Sequence, residues 1–220
     1  DRAWSMLDGA GAIVRLTGRP SYLVGDDLSA NVPDDSQWKG LIEVAIGNSA
    51  FEPVLPGIGR VNVPQRGKPG YQGTAFMVAA GVAMTNKHVA LTFARAQPGA
   101  WSVAPGYTPA VDFKCEYGSA ATALFPVSEV LLVHPDPDID LALLRLAPES
   151  DDRVSRLPPP LALVGTAAEV AVGRDVYAVG YPAFDPRNDA GAMEDIFGDI
   201  FYVKRFAPGA VMAMDAARRR

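Results

Sequence analysis

Two short segments hold the residues best suited to chemistry. In Thr85-Asn86-Lys87-His88-Val89-Ala90, a single imidazole follows an apolar run and is set into a turn. An unperturbed His titrates near pH ~6.5, so it can take a proton and return it around neutrality. In Asp138-Ile139-Asp140-Leu141-Ala142-Leu143-Leu144-Arg145-Leu146, a carboxylate stands directly ahead of a strongly apolar strand. At such a rim, beside buried surface, a carboxylate can orient an imidazole and stabilise its protonated form. Each segment has a plainer reading: His88 as a structural His at a strand end, and Asp140 as part of an acidic turn capping a core strand.

The elements that must position these groups are read from local pattern. Residues 74–79 and 82–85 flank Ala80-Gly81 with the spacing of a hairpin, whose second strand delivers His88. Residues 58–63 alternate apolar and polar, and 64–70 carry turn chemistry. Further short strands are expected over 111–117, 127–133, 141–146 and 176–179, a spacing that suits a β-barrel or sandwich. The segments 168–172 and 201–206 are also apolar enough to need strand partners. Ahead of them all, 1–16 reads weakly as helix on Trp4, Leu7, Ile13 and Leu16, and 21–24 as a short strand. A better helix over 36–46 places Trp38, Leu41, Ile42, Ala45 and Ile46 on one face behind Ser36 as N-cap. Residues 156–165, with Pro158-Pro159-Pro160, read as a linker.

Bulk properties exclude several classes. The net charge of −5 and pI near 5.0 argue against a general nucleic-acid binder, which needs a basic face. Arg218-Arg219-Arg220 is the one clear basic cluster and reads as a solvated end. The longest apolar stretch, 75–84, is broken by Gly81 and falls short of the ~20 residues of a membrane span. One cysteine, Cys115, rules out an internal disulfide framework. It reads as a small buried strand residue, and as a nucleophile only if the order of the motifs were broken. His134-Pro135-Asp136-Pro137-Asp138 with Asp140 has the residue types of a metal cluster, but two prolines stiffen it as an exposed turn and no second His or Cys lies nearby. Neither cofactor nor metal is expected. The chain opens on Asp1 without a basic-then-apolar signal, so residues are expected to precede it, and localisation is unreadable.

Together the two motifs, in this order, resemble the trypsin-like serine peptidase family. They look most like its bacterial cysteine-poor branch, which includes the V8-like glutamyl peptidases. There the His lies in a Thr-Asn-x-His-Val segment and the Asp opens an Asp-Leu-Ala-Leu-Leu strand. The resemblance implies His88 as general base and Asp140 as orienting acid. Val179-Gly180-Tyr181-Pro182 resembles the Gly-Tyr-Pro strand end early in the second barrel. Ile196-Phe197, Val203-Lys204-Arg205 and Pro208-Gly209 resemble later segments of that barrel in the same branch. The likeness covers residues 58–209. Ala75 departs from a commonly Gly position.

The larger departure is the nucleophile. The family order is His, Asp, Ser, with Ser in a Gly-rich Gly-x-Ser-Gly turn whose N–H groups form the oxyanion hole. After Asp140 the only serines are Ser150 and Ser155, in a charged segment without Gly. Residues 210–220 match nothing expected there, so the nucleophile, oxyanion hole and specificity pocket are expected beyond Arg220. The implied fold is all-β, a chymotrypsin-like double β-barrel with an incomplete second barrel and a short N-terminal helical extension. Its expected divisions are an extension over 1–55, a first barrel over 56–155, a linker over 156–165, a partial second barrel over 166–209 and a tail over 210–220. The implied partner is a protein or peptide substrate, with self-association through the incomplete second barrel. A pseudopeptidase that only binds a partner, and a non-peptidase barrel module, stay open.

Overall fold

Alternation of side chains across a pleat decides which face of each strand is buried. The computed structural model describes residues 21–25, 39–40, 53–64, 70–165, 170–184 and 189–213. The expected helix over 1–16 lies outside the described residues, as does the one over 36–46 apart from residues 39–40, which are helical. After a two-residue strand β1 (Tyr22–Leu23) come β2 (Ile58–Asn62), β3 (Tyr71–Ala79) and β4 (Val82–Thr85). Val61, Ala75, Met77 and Ala83 are fully buried, each separated from the next inward residue by an outward one. Gly81, at φ 69, makes the tight turn between β3 and β4.

A four-residue helix α1 (Lys87–Ala90) follows β4, then a hairpin of β5 (Ala94–Gln97) and β6 (Ala100–Val103) that rests Trp101 and Val103 on the core. Next come β7 (Ala110–Asp112), β8 (Leu124–Val133) and β9 (Ala142–Leu146). Six of these strands close a barrel in the order β2-β3-β4-β9-β8-β7, the antiparallel β2–β7 pairing sealing the circle. Closing a barrel with so few strands demands sharp bending, and β8 carries two register shifts against β9. Val111, Phe125, Val130 and Leu144 fill the interior, with Phe93 entering from the turn after α1.

Residues 156–165 run extended over the outside of this barrel, and the Leu161 N–H donates to the Met77 carbonyl at 2.9 Å. Beyond them lie β10 (Asp175–Gly180), helix α2 (Ala190–Phe197) and β11 (Arg205–Ala210). A three-stranded antiparallel sheet forms in the order β1-β11-β10, with Tyr22 opposite Phe206. The molecule is thus mostly β. Among the described residues, no helix is long and apolar enough to cross a membrane.

Two expected strands are corrected. The one expected over 111–117 ends at Asp112, because the buried Asp112 carboxylate accepts the N–H groups of Lys114 and Ala123. Cys115 is therefore not a strand residue but a half-buried turn residue at φ 55, its thiol donating to Asp112 at 3.1 Å. Burial, with the Asp112 carboxylate beside it, pushes the thiol pKa up to about 12, which leaves it a weak nucleophile. The apolar run 201–206 begins with a turn at Tyr202, φ 63, and pairs as a strand only from Arg205.

Candidate active site

His88 reaches its position through two local devices. Thr85, the last residue of β4, turns its hydroxyl inward to donate to the Thr74 carbonyl at 2.8 Å, pinning the strand end to β3. The chain then winds into α1, and Val89, one residue past the His, is buried beneath it. Val89 fits because position 73 is glycine: a Cβ there would stand 2.5 Å from a Val89 methyl. Asp140 arrives from the opposite side, ahead of β9, whose Ala142 pairs with Thr85. The barrel register therefore sets His88 and Asp140 side by side.

The Nδ1 of His88 lies 2.7 Å from Asp140 Oδ2, and the His88 backbone N–H donates to Oδ1 at 3.0 Å. The Asn86 side-chain amide donates to Oδ2 at 3.0 Å. Partial burial alone would raise the Asp140 pKa. The backbone N–H and ring of His88, with the Asn86 amide, outweigh that effect and hold it below the usual carboxylate value. Both side chains of the pair are about half exposed, 51% and 48%, so the ring stays open to solvent on one side. A cleft of about 360 Å³ runs beside Asp140, lined by Thr74, Phe76, Met84, Leu141 and Val179 among others.

The neighbouring acids do other work. The Asp136 carboxylate accepts the Asp138 backbone N–H at 2.9 Å, and the Asp136 carbonyl accepts from Lys87 Nζ at 2.5 Å. His134 Nδ1 accepts the Asp136 N–H at 3.2 Å. Among the described residues no group of three His, Cys, Asp or Glu side chains is placed to hold a metal ion. Ser150 is buried, with its hydroxyl against Asp152 Oδ1, and the Ser155 hydroxyl donates to Asp152 Oδ2 at 2.6 Å. These two hydroxyls and nearby N–H groups hold the Asp152 carboxyl well below its usual range. Ser150 and Ser155 thus close an acidic turn rather than face an imidazole.

The later half of the chain is docked onto the barrel beside this site. The Tyr181 N–H donates to the Thr74 hydroxyl at 3.1 Å, and the buried Tyr181 hydroxyl lies 2.9 Å from the Lys114 carbonyl. Tyr71 donates from its own hydroxyl to the Tyr181 carbonyl. Burial, first of all, raises the pKa of Tyr181, which keeps it a neutral donor. Asn86 lies inside the Thr-Asn-x-His-Val segment, but its contact with Asp140, 54 residues away, is visible only in the structure.

A His–Asp pair at the rim of a closed six-stranded antiparallel barrel defines the architecture. Residues 73–216 match the family model described as the trypsin-like peptidase domain. The chain belongs to that family. No curated protein matches it. Among solved structures it is similar to the active form of the Rv3671c protease from M. tuberculosis, at 23% identity and TM-score 0.37, covering 63% of this chain and 48% of that one. The inactive form gives 21% identity and TM-score 0.35, covering 63% and 51%. A structure titled "Structure of GrC" gives 18% identity and TM-score 0.44, covering 72% and 61%. The chain spans about half the length of the first of these relatives.

Proposed function

We propose that this chain supplies the general base and the orienting acid of a serine endopeptidase that cleaves peptide bonds in protein or peptide substrates. The observation that carries the reading is the 2.7 Å approach of His88 Nδ1 to Asp140 Oδ2 in a half-exposed setting. An ionised Asp140 accepts from Nδ1–H, so the neutral ring keeps its one basic lone pair, on Nε2, free. His88 then removes a serine hydroxyl proton through Nε2 as the acyl-enzyme forms and later gives it to the leaving amine, while Asp140 holds the ring and stabilises the imidazolium. The serine itself is not among these 220 residues, since none follows Ser155. The Thr85-Asn86-Lys87-His88 segment and the lack of any disulfide partner for Cys115 support the cysteine-poor branch that includes the V8-like enzymes. In this reading residues 56–155 form the first barrel, 156–165 the link and 166–209 the start of the second.

The alternative reading is a pseudopeptidase whose barrel binds a partner without cleaving it, which an intact downstream frame without a Gly-x-Ser-Gly turn would favour. Two experiments separate them. The coding sequence past Arg220 is read for a Gly-x-Ser-Gly turn, and the encoded protein is challenged with a fluorophosphonate probe. Labelling that is lost in His88→Ala establishes the peptidase; an intact downstream frame without that turn, and no labelling, establishes the pseudopeptidase.

A further inference from the structure

Asn86 occupies the N-cap of α1, where an Asn side chain ordinarily accepts a backbone N–H from the first turn of its own helix. It makes no such bond. The Asp140 carboxylate does that work instead, its Oδ1 accepting the N–H of His88, the second residue of α1. The Asn86 side chain is turned the other way, donating its amide to Asp140 Oδ2 at 3.0 Å. The two side chains have exchanged roles, and the exchange leaves the carboxylate held at three points by groups of one short segment: the His88 N–H, the His88 ring and the Asn86 amide.

We infer that Asn86 is a positioning residue, holding the Asp140 carboxylate in the rotation that keeps Oδ2 against His88 Nδ1. The inference rests on the peptidase reading for its purpose, though not for its geometry. A carboxylate half open to water has little packing to stop it rotating, so hydrogen bonds must fix it. Asn suits the task because its amide donates without adding charge, leaving the imidazolium as the cation Asp140 meets when His88 is protonated. Two charged neighbours are engaged elsewhere: Lys87 on the Asp136 carbonyl, and Asp136 on the Asp138 N–H. With Asn86 in place Oδ2 accepts from two donors, which favours both the ionised carboxylate and the ring tautomer with its proton on Nδ1.

The test uses nuclear magnetic resonance on the 220-residue chain, following the Asp140 carboxyl carbon and the His88 ring nitrogens against pH in Asn86→Ala and Asn86→Asp. Both substitutions remove the donor, but Asp is as good an N-cap as Asn. The expected result is that Asp140 protonates at higher pH in both variants, and further so in Asn86→Asp, where a like charge is added. The His88 ring nitrogens should move away from the Nδ1–H tautomer in both. Wild-type behaviour of Asn86→Asp would mean that Asn86 only shapes the helix start, and wild-type behaviour of Asn86→Ala that the amide holds nothing. Either overturns the inference. If Asn86→Ala does not fold, Asn86→Asp decides alone. Because these readouts need no nucleophile, they can fail while the fluorophosphonate result stands, and the reverse.

Discussion

The ammonium of Lys204 lies 3.3 Å from the carboxylate of Glu116, with no part of the lysine side chain reaching solvent. It also donates to the carbonyls of Leu55 at 2.9 Å and Phe113 at 3.0 Å, so one cation ties the chain just before β11 to the segments just before β2 and just after β7. Removing one partner of a buried pair leaves the rest unsatisfied, which costs more than the pair is worth. Lys204→Met should destabilise the chain by roughly 2–4 kcal/mol, and Glu116→Gln by clearly less, because Glu116 is partly exposed. Chemical denaturation of both variants measures this, and a Lys204→Met chain as stable as wild type would refute it.

The same lysine makes a prediction about pH. Burial, the largest influence, lowers its pKa below that of a free lysine. Between the lowered folded value and the ordinary ~10.4, the unfolded chain binds more protons than the folded one, so this group makes stability rise with pH across that window. Below the folded value the term is flat and unfavourable. Lys204→Met should lack this alkaline rise. Denaturation curves of the two proteins between neutral and alkaline pH check the slope, and parallel curves would count against it.

Asp140 gives the opposite window. Its folded pKa is lowered, so its contribution is present above ~3.9, the value for an unfolded carboxyl, and is lost as pH falls through the folded value. Asp140→Asn should offer Nδ1 a donor in place of an acceptor and move the ring proton to Nε2, visible in the His88 nitrogen shifts. In a serine-bearing form of the protein this substitution should lower turnover by about four orders of magnitude, the loss seen when the base is held in the wrong tautomer. Turnover within tenfold of the parent would remove Asp140 from the mechanism.

Position 73 tests how α1 is seated. Gly73→Ala would put a methyl 2.5 Å from Val89 Cγ2, a contact that must push the helix outward and His88 with it. Overpacking of this kind costs typically ~1–3 kcal/mol. Adding Val89→Ala should recover much of that loss and restore the His88 nitrogen shifts. If the double variant is no better than the sum of the singles, the crowding is not at Val89.

What is legible in the sequence is local. The β3–β4 hairpin shows in the alternation around Ala80-Gly81, and the short strands between turn signals point to a barrel or a sandwich without deciding that the sheet closes. His88 and Asp140 stand out because each sits in a contiguous motif. The corrections come where a side chain overrides backbone pattern: Asp112 takes the N–H groups that would have continued β7, and Cys115 turns out of the extended region. Helix α2 is hidden because Gly191 and the surrounding turn residues mask its period. The pairing of Tyr22 with Phe206 joins residues far apart in the chain and leaves no mark in either segment, and Asn86, though inside the His motif, does not show there that its amide goes to Asp140. The β5–β6 hairpin does carry a local signal, Pro98-Gly99 with Gly99 at φ 74, though its strands, which pack Ala94, Trp101 and Val103 on the core, lack the full alternation that marks the barrel.

The sheet β1-β11-β10 ends at β10, whose outer edge pairs with no other described strand. Val176 on β10 is 40% exposed, and a largely apolar hollow of about 440 Å³ opens beside it, lined by Ala178, Phe197, Phe206 and Ala207 among others. A sheet edge with no described strand beside it, next to an apolar face, can take up another copy of the strand. The strands β3, β4 and β9 each have neighbours on both sides and fill the barrel core. In the 220-residue polypeptide, β10 amides should therefore exchange with solvent orders of magnitude faster than those of β3 and β9. Raising the concentration should slow exchange in β10 and leave the barrel unchanged, as copies associate through the edge. Val176→Lys, which places a charge at that edge, should abolish the concentration dependence without unfolding the barrel. Uniform protection of β10 and the barrel in a monomer would show that the later half closes on itself, and the association prediction would fail with it.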